Sequence, residues 1–99
     1  MNLHEIYIYD RLLDLPSASI TSDASQERVV FDLSGHFDAR ALTDLRSAVA
    51  VAAIPGLAIE EKDGKTELVA QGRYALRQLA NNSVPFPGSD AHVTGRRPS

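Results

Sequence analysis

Apolar residues recur at helical spacing in the middle of the chain. Between residues 39 and 53 they fall three, four and three positions apart, at Leu42, Leu45, Val49 and Ala52. This spacing is typical of a helix that buries one face. Asp38 stands where an N-cap accepts from the free amides of the first turn, and Pro55-Gly56 follows the last turn. We therefore predict a helix over residues 39–53.

Alternating apolar residues on either side of this helix predict two hairpins. In the first, strands at residues 18–22 and 28–34 are separated by a polar run. In the second, residues 57–62 and 66–71 flank Asp63-Gly64, a pair that favours the positive backbone angles of a tight turn. These segments predict a small, mainly antiparallel sheet of three to four strands.

The segments that flank these elements are also predicted to be helical. Residues 3–13 fit two patterns, because Ile6 and Ile8 alternate with tyrosines as in a strand, while apolar residues also recur near helical spacing. Pro16 supplies a stop for a helix, so we favour the helix. Gly72 opens a last helix at residues 73–81.

Together the segments predict one α+β domain over residues 1–86, with the order helix–hairpin–helix–hairpin–helix and the helices on one face of the sheet. Matches within the chain at offsets of 39 and 37 predict a duplication of an αββ unit, over about residues 2–35 and 38–71. The last helix, 73–81, follows the second unit. Residues 87–99 are rich in Gly, Ser and Pro with almost nothing apolar, so we expect them to be disordered.

Three features follow one another in the first two thirds of the chain: a strand that ends in glycine (29–35), an Ala-rich helix (39–53) and a Pro-Gly step into the next strand (54–57). In this order, over about residues 12–61, they resemble the BON domain, a small module of bacterial osmotic-stress and secretin-associated proteins. Related ring-building domains of secretion systems share this architecture. The resemblance implies a module that binds lipid, itself or another protein, and it supplies no catalytic residues.

Composition and charge narrow the functional classes. The 99 residues include no cysteine, which excludes disulfides, thiolate metal sites and cysteine nucleophiles. The formal net charge is −3 and the basic residues are scattered singly, so we expect no nucleic-acid partner. The longest apolar run, residues 48–54, is too short to cross a bilayer, and the N-terminus lacks a signal-peptide pattern. We expect a cytoplasmic protein without a transmembrane segment.

Four polar residues alternate along a strand end and a loop: Asp32, Ser34, His36 and Asp38. Side chains at alternate positions of an extended chain point the same way, and these residue types occur in metal sites and in serine–histidine–aspartate sites. Triad members, however, normally converge from separate segments. We interpret the group as a strand end followed by a capping aspartate, with no metal or cofactor site.

Two clusters are candidates for binding a partner. Tyr7 and Tyr9, with the isoleucines beside them, form the densest aromatic and β-branched cluster in the chain, more than a one-sided helix needs. Glu60, Glu61 and Asp63 place negative charge around the second hairpin, in a spacing that does not fit a Ca²⁺ loop. The first cluster indicates either a deeply buried helix, which we favour, or a surface for dimerisation. The second cluster predicts contact with a basic protein surface.

Three functional hypotheses remain, in order of preference. The first is a non-catalytic interaction module that self-associates as a homodimer or docks on one protein partner; peripheral contact with lipid is compatible with it. The second is a small acidic inhibitor, of the kind that phages and mobile elements encode, that blocks a host enzyme through the acidic hairpin. The third is an enzyme that uses Asp32, His36 and Asp38.

Overall fold

The computed structural model describes residues 2–88, which form three α-helices and a four-stranded antiparallel sheet. The helices are α1 (Leu3–Leu13), α2 (Ala39–Ala52) and α3 (Arg73–Asn81), and the strands are β1 (Ile20–Asp23), β2 (Arg28–Asp32), β3 (Leu57–Lys62) and β4 (Lys65–Gln71). The α+β class and the antiparallel sheet predicted above are confirmed. Most of the predicted disordered tail, residues 89–99, lies outside the described residues, while Pro87 and Gly88 form a turn.

The two longer helices begin at polar caps. The side-chain oxygen of Asn2 accepts from the backbone N–H of Glu5 at 2.9 Å, and Asp38 Oδ1 accepts from the N–H of Ala41 at 2.8 Å. Each bond satisfies one of the amides that a first helical turn leaves unpaired. Residues 3–13 are therefore helical, as favoured above, and the predicted cap at Asp38 is confirmed.

The sheet has the strand order β1-β2-β4-β3, so each hairpin contributes one central and one edge strand. At the centre, Val30 of β2 pairs with Val69 of β4, and these residues are 39 positions apart. The elements α1-β1-β2 and α2-β3-β4 follow the same order along the chain, and each of these halves supplies one strand of the central pair. The hairpins differ in the length of their turns. Four residues separate the paired Asp23 and Arg28 in the first, and two separate the paired Lys62 and Lys65 in the second.

One hydrophobic cluster joins one face of the sheet to all three helices. The buried residues of α1 are Ile8, Tyr9 and Leu12, and those of α2 are Leu45, Ala48 and Val49. Ile8 and Leu12 lie 37 positions before Leu45 and Val49, so the two helices present equivalent inner faces to the core. The strands contribute alternate residues, among them Val29, Phe31, Leu68 and Ala70.

The chain leaves the described region beside the first edge strand. After α3, Val84 is fully buried and Phe86 packs against the core. Ser22 Oγ of β1 donates to the carbonyl oxygen of Pro87 at 2.8 Å. The segment that follows α3 therefore closes the core next to β1.

Candidate functional site

The four polar residues that alternate between 32 and 38 are engaged mainly with nearby backbone. Asp32 Oδ1 accepts from the N–H of Ser34, and Asp38 Oδ1 accepts from the first turn of α2. Ser34 Oγ accepts from the N–H of Thr66 at 3.1 Å, which ties this loop to the start of β4. Both aspartates therefore stabilise local turns, as a strand end followed by a cap would require.

His36 instead contacts a residue that the sequence pattern did not single out. Its Nε2 atom lies 2.7 Å from Ser19 Oγ in the turn before β1, and the pair is exposed to solvent. A nucleophilic serine needs a base that a third group orients. Within residues 2–88, the hydrogen bonds and ion pairs of His36 include no carboxylate. No sequence signal indicates this contact, because it depends on how two distant loops pack.

The acidic residues of the second hairpin do not share one surface. Glu60 and Glu61 are successive residues of β3, so their side chains point to opposite faces of the sheet. Glu61 forms an ion pair with Arg46 of α2, and Glu60 lies 4.0 Å from Arg28 of β2. Asp63 has a φ of +53° in the tight turn itself. The predicted negative surface is thus divided and partly balanced by arginines.

Arg28 also reaches β4 and β3 on the sheet face that faces away from the core. Its guanidinium donates to Gln71 Oε1 at 3.1 Å and approaches Glu60 on β3. Val69 lies on the same face between these two contacts, and only 3% of its surface is exposed. The long side chain of an arginine can shield apolar surface in this way while its charge stays in water.

The two tyrosines of α1 point toward the protein rather than into solvent. Tyr9 is 5% exposed, and Tyr7 is partly buried against the core with the Arg11 guanidinium carbon 5.7 Å from the centre of its ring. Arg11 also forms an ion pair with Asp14 at 3.1 Å. Burial, followed by the nearby Glu5 and Tyr74, raises the pKa of the Tyr9 phenol to about 12.

A different set of apolar residues on α1 faces solvent. Leu3 is 80% exposed, Ile6 42% and Leu13 48%. Together with the exposed Asp10 they follow the spacing three, four and three, which places all four on one side of the helix. We call this set the outer stripe: Leu3, Ile6, Asp10 and Leu13. Tyr74 of α3, 54% exposed, lies near Tyr9 and adds a further apolar group beside the helix.

A shallow apolar groove lies between the α1–β1 connection and the C-terminal segment. Its volume is about 250 Å³, and its lining consists of Leu15, Ser17, Ile20, Pro85, Phe86 and Pro87. Ligand pockets are usually larger, roughly 300–1,000 Å³, and carry several convergent polar groups. A single serine hydroxyl on an otherwise apolar wall gives little means of orienting a small molecule.

Residues 2–88 contain neither a cluster suited to a metal ion nor a helix able to span a membrane. No group of three His, Asp or Glu side chains there is arranged to hold a metal ion. None of the helices in this part of the chain has the length and apolar character needed to cross a bilayer.

Comparisons with known proteins add no family to this description. No family model matches the chain, and searches of curated proteins and of solved structures return no match. The resemblance to the BON domain stays a prediction from the sequence, and the interpretation of the site rests on geometry.

Proposed function

We propose that this protein is a non-catalytic interaction module that binds a protein partner through the outer stripe of α1. The observation that carries the proposal is the exposure of three large aliphatic side chains on one side of a single helix. Single exposed apolar residues are common on protein surfaces. Contiguous ones are less so, and they frequently mark a surface that another molecule covers.

The helix is well suited to hold such a surface in place. Ile8, Tyr9 and Leu12 anchor its inner face in the core, and Asn2 caps its first turn. An interface built on an anchored helix loses little conformational freedom on binding, because the backbone is already ordered.

The test is the capture of partners by the tagged full-length chain from its source cells. The double variant Ile6→Glu/Leu13→Glu places charges within the outer stripe at exposed positions, so the fold should persist while binding is lost. Val51→Glu is the matched control, because Val51 is 61% exposed on α2 and outside the stripe. We expect the wild-type chain and the Val51 variant to retain the same protein, whether that is the chain itself or another, and the double variant to lose it.

Two outcomes would contradict the proposal. A partner that the double variant retains at the wild-type level does not bind the outer stripe. A partner lost from the Glu60→Lys/Asp63→Lys variant, and not from the double variant, would instead support an inhibitor that uses the acidic hairpin. Circular dichroism of each variant shows whether a loss of binding reflects a loss of fold.

A further inference from the structure

We infer that the partner of the outer stripe is a second copy of this chain. The two α1 helices pack antiparallel, about a twofold axis that crosses the stripe at the level of Ile8 along the helix. This inference rests on the proposed function and names its partner. The first support is the symmetry of the stripe. Leu3 and Leu13 are each five residues from Ile8, and Ile6 and Asp10 are each two residues from it. An antiparallel copy therefore aligns Leu3 of each chain with Leu13 of the other, and Ile6 of each chain with Asp10 of the other.

The charge within the stripe favours the antiparallel arrangement over the parallel one. In a parallel pair of helices, the two Asp10 carboxylates would stand in the same layer, where like charges repel one another. In the antiparallel pair they are four residues apart along the axis, roughly 6 Å at the rise of an α-helix. Each carboxylate then lies level with Ile6 of the other copy rather than with a second carboxylate. Antiparallel helix dipoles also oppose one another favourably.

The available area predicts a weak dimer. A stable interface buries roughly 800 Å² on each partner, and α1 has only 11 residues with three apolar side chains in the stripe. Tyr74 extends the apolar surface onto α3. We therefore expect a dissociation constant in the micromolar range or weaker, and association that depends on protein concentration.

Asp10 is the residue that limits this association. A polar side chain at a seam position fixes the register of two helices and lowers the stability of their pairing. Replacing it should therefore strengthen the dimer. We expect Asp10→Leu to tighten the dissociation constant at least tenfold and Asp10→Asn to tighten it less, measured by sedimentation equilibrium of the purified full-length chain.

The arrangement of the helices is tested by cross-linking, which the absence of native cysteine makes specific. Leu3→Cys and Leu13→Cys variants are purified separately, mixed, and treated with a short thiol cross-linker. Antiparallel pairing predicts a cross-linked dimer in the mixture, and little in either variant alone. Val51→Cys, exposed on α2, measures cross-linking by random collision.

The possible results separate this inference from the proposed function. Cross-linking of Leu3→Cys alone, at the level of the mixture, would show parallel pairing and overturn the antiparallel arrangement. A mixture no more reactive than Val51→Cys, with Asp10→Leu as monomeric as the wild type, would exclude self-association through α1. If the Ile6/Leu13 double variant still loses a different protein in the capture experiment, the proposed function stands and only the inference falls.

Discussion

The helices α1 and α2 hold equivalent places in the two αββ halves, yet their outer surfaces differ. Their inner faces correspond at an offset of 37, with Ile8 and Leu12 matching Leu45 and Val49. At the same offset, the four residues of the outer stripe correspond to four exposed residues of α2, which are Arg40, Thr43, Ser47 and Ala50. One helix thus presents leucine and isoleucine to solvent where the other presents polar or small residues.

This difference separates what the fold requires from what it does not. The inner faces need apolar residues because both helices cover the same sheet, and burial of such side chains supplies most of the stability. The surface of α2 shows that the outer positions can be polar in the same architecture. The apolar character of the outer stripe therefore calls for an explanation other than folding, and partner binding supplies one.

The largest expected effect tests whether the two faces of α1 really differ. Leu12 is fully buried and its neighbour Leu13 is half exposed. We expect Leu12→Ala to lower the free energy of unfolding by about 3 kcal/mol, within the usual range for a buried leucine. Leu45→Ala in α2 should cost a similar amount, while Leu13→Ala should change it by less than about 0.5 kcal/mol. Urea denaturation at low protein concentration measures all three. An equal loss at Leu12 and Leu13 would make the outer stripe part of the core.

A second prediction sharpens the contrast between the halves at the entry to β3. Gly56 has a φ of +84°, and a Cβ atom there would stand 2.2 Å from the carbonyl oxygen of Gln71. The residue 39 positions earlier is Ser17, so the close approach belongs to the second half. We expect Gly56→Ala to cost at least about 2 kcal/mol, because a clash adds to the unfavourable backbone angle.

Gly64 provides the control for this substitution. It also has a positive φ, +77°, but nothing lies within 4 Å of the position that a Cβ would occupy. Gly64→Ala should cost about 1 kcal/mol, for the backbone angle alone. Equal thermal or urea midpoints for the two variants would show that the contact with Gln71 relaxes without cost.

The smallest effect concerns the pH dependence of folding stability that arises from Tyr9 in α1. The folded protein raises the pKa of Tyr9 to about 12, above the value near 10 of an exposed tyrosine. The contribution of the neutral Tyr9 phenol to the free energy of unfolding is therefore fully present below pH 10. It is lost as the pH rises from about 10 to about 12, because Tyr9 ionises in the unfolded chain before it ionises in the folded one. The corresponding residue of α2, 37 positions later, is Arg46, so this contribution arises in α1 and not in α2.

Urea midpoints between pH 9 and pH 11.5 test this expectation. Tyr9→Phe should weaken the decline of stability with pH, whereas Tyr7→Phe keeps Tyr9 and should retain the steeper decline. The same slope in both variants would mean that other groups, rather than Tyr9, govern stability in this range.

Much of the fold could be read from local chemistry. Asp38 marks the start of α2, since a carboxylate before a helix has a direct bonding role. Asp63 and Gly64 take positive φ angles of +53° and +77°, as a tight hairpin turn requires. These features depend on neighbouring residues alone.

The binding surface was harder to read, because α1 is apolar on most sides. Its density of apolar residues left burial and association open for Tyr7 and Tyr9. Both pack toward the protein, and the exposed set is Leu3, Ile6 and Leu13. When apolar residues surround a helix, periodicity cannot choose the buried face, and packing decides it. The separation of Glu60 from Glu61, by contrast, follows from strand alternation and could have been predicted.

The central pairing of Val30 with Val69 has a consequence for how the chain folds. Each hairpin closes a loop of only two or four residues, so its entropic cost is small and its formation is fast. The β2–β4 ladder instead joins segments about 39 residues apart. We expect this closure to limit the folding rate, since contacts distant in sequence form slowly. A chain cut at Gly35, an exposed turn between the halves, would then yield two fragments that reassemble through this ladder and through the packing of α1 against α2.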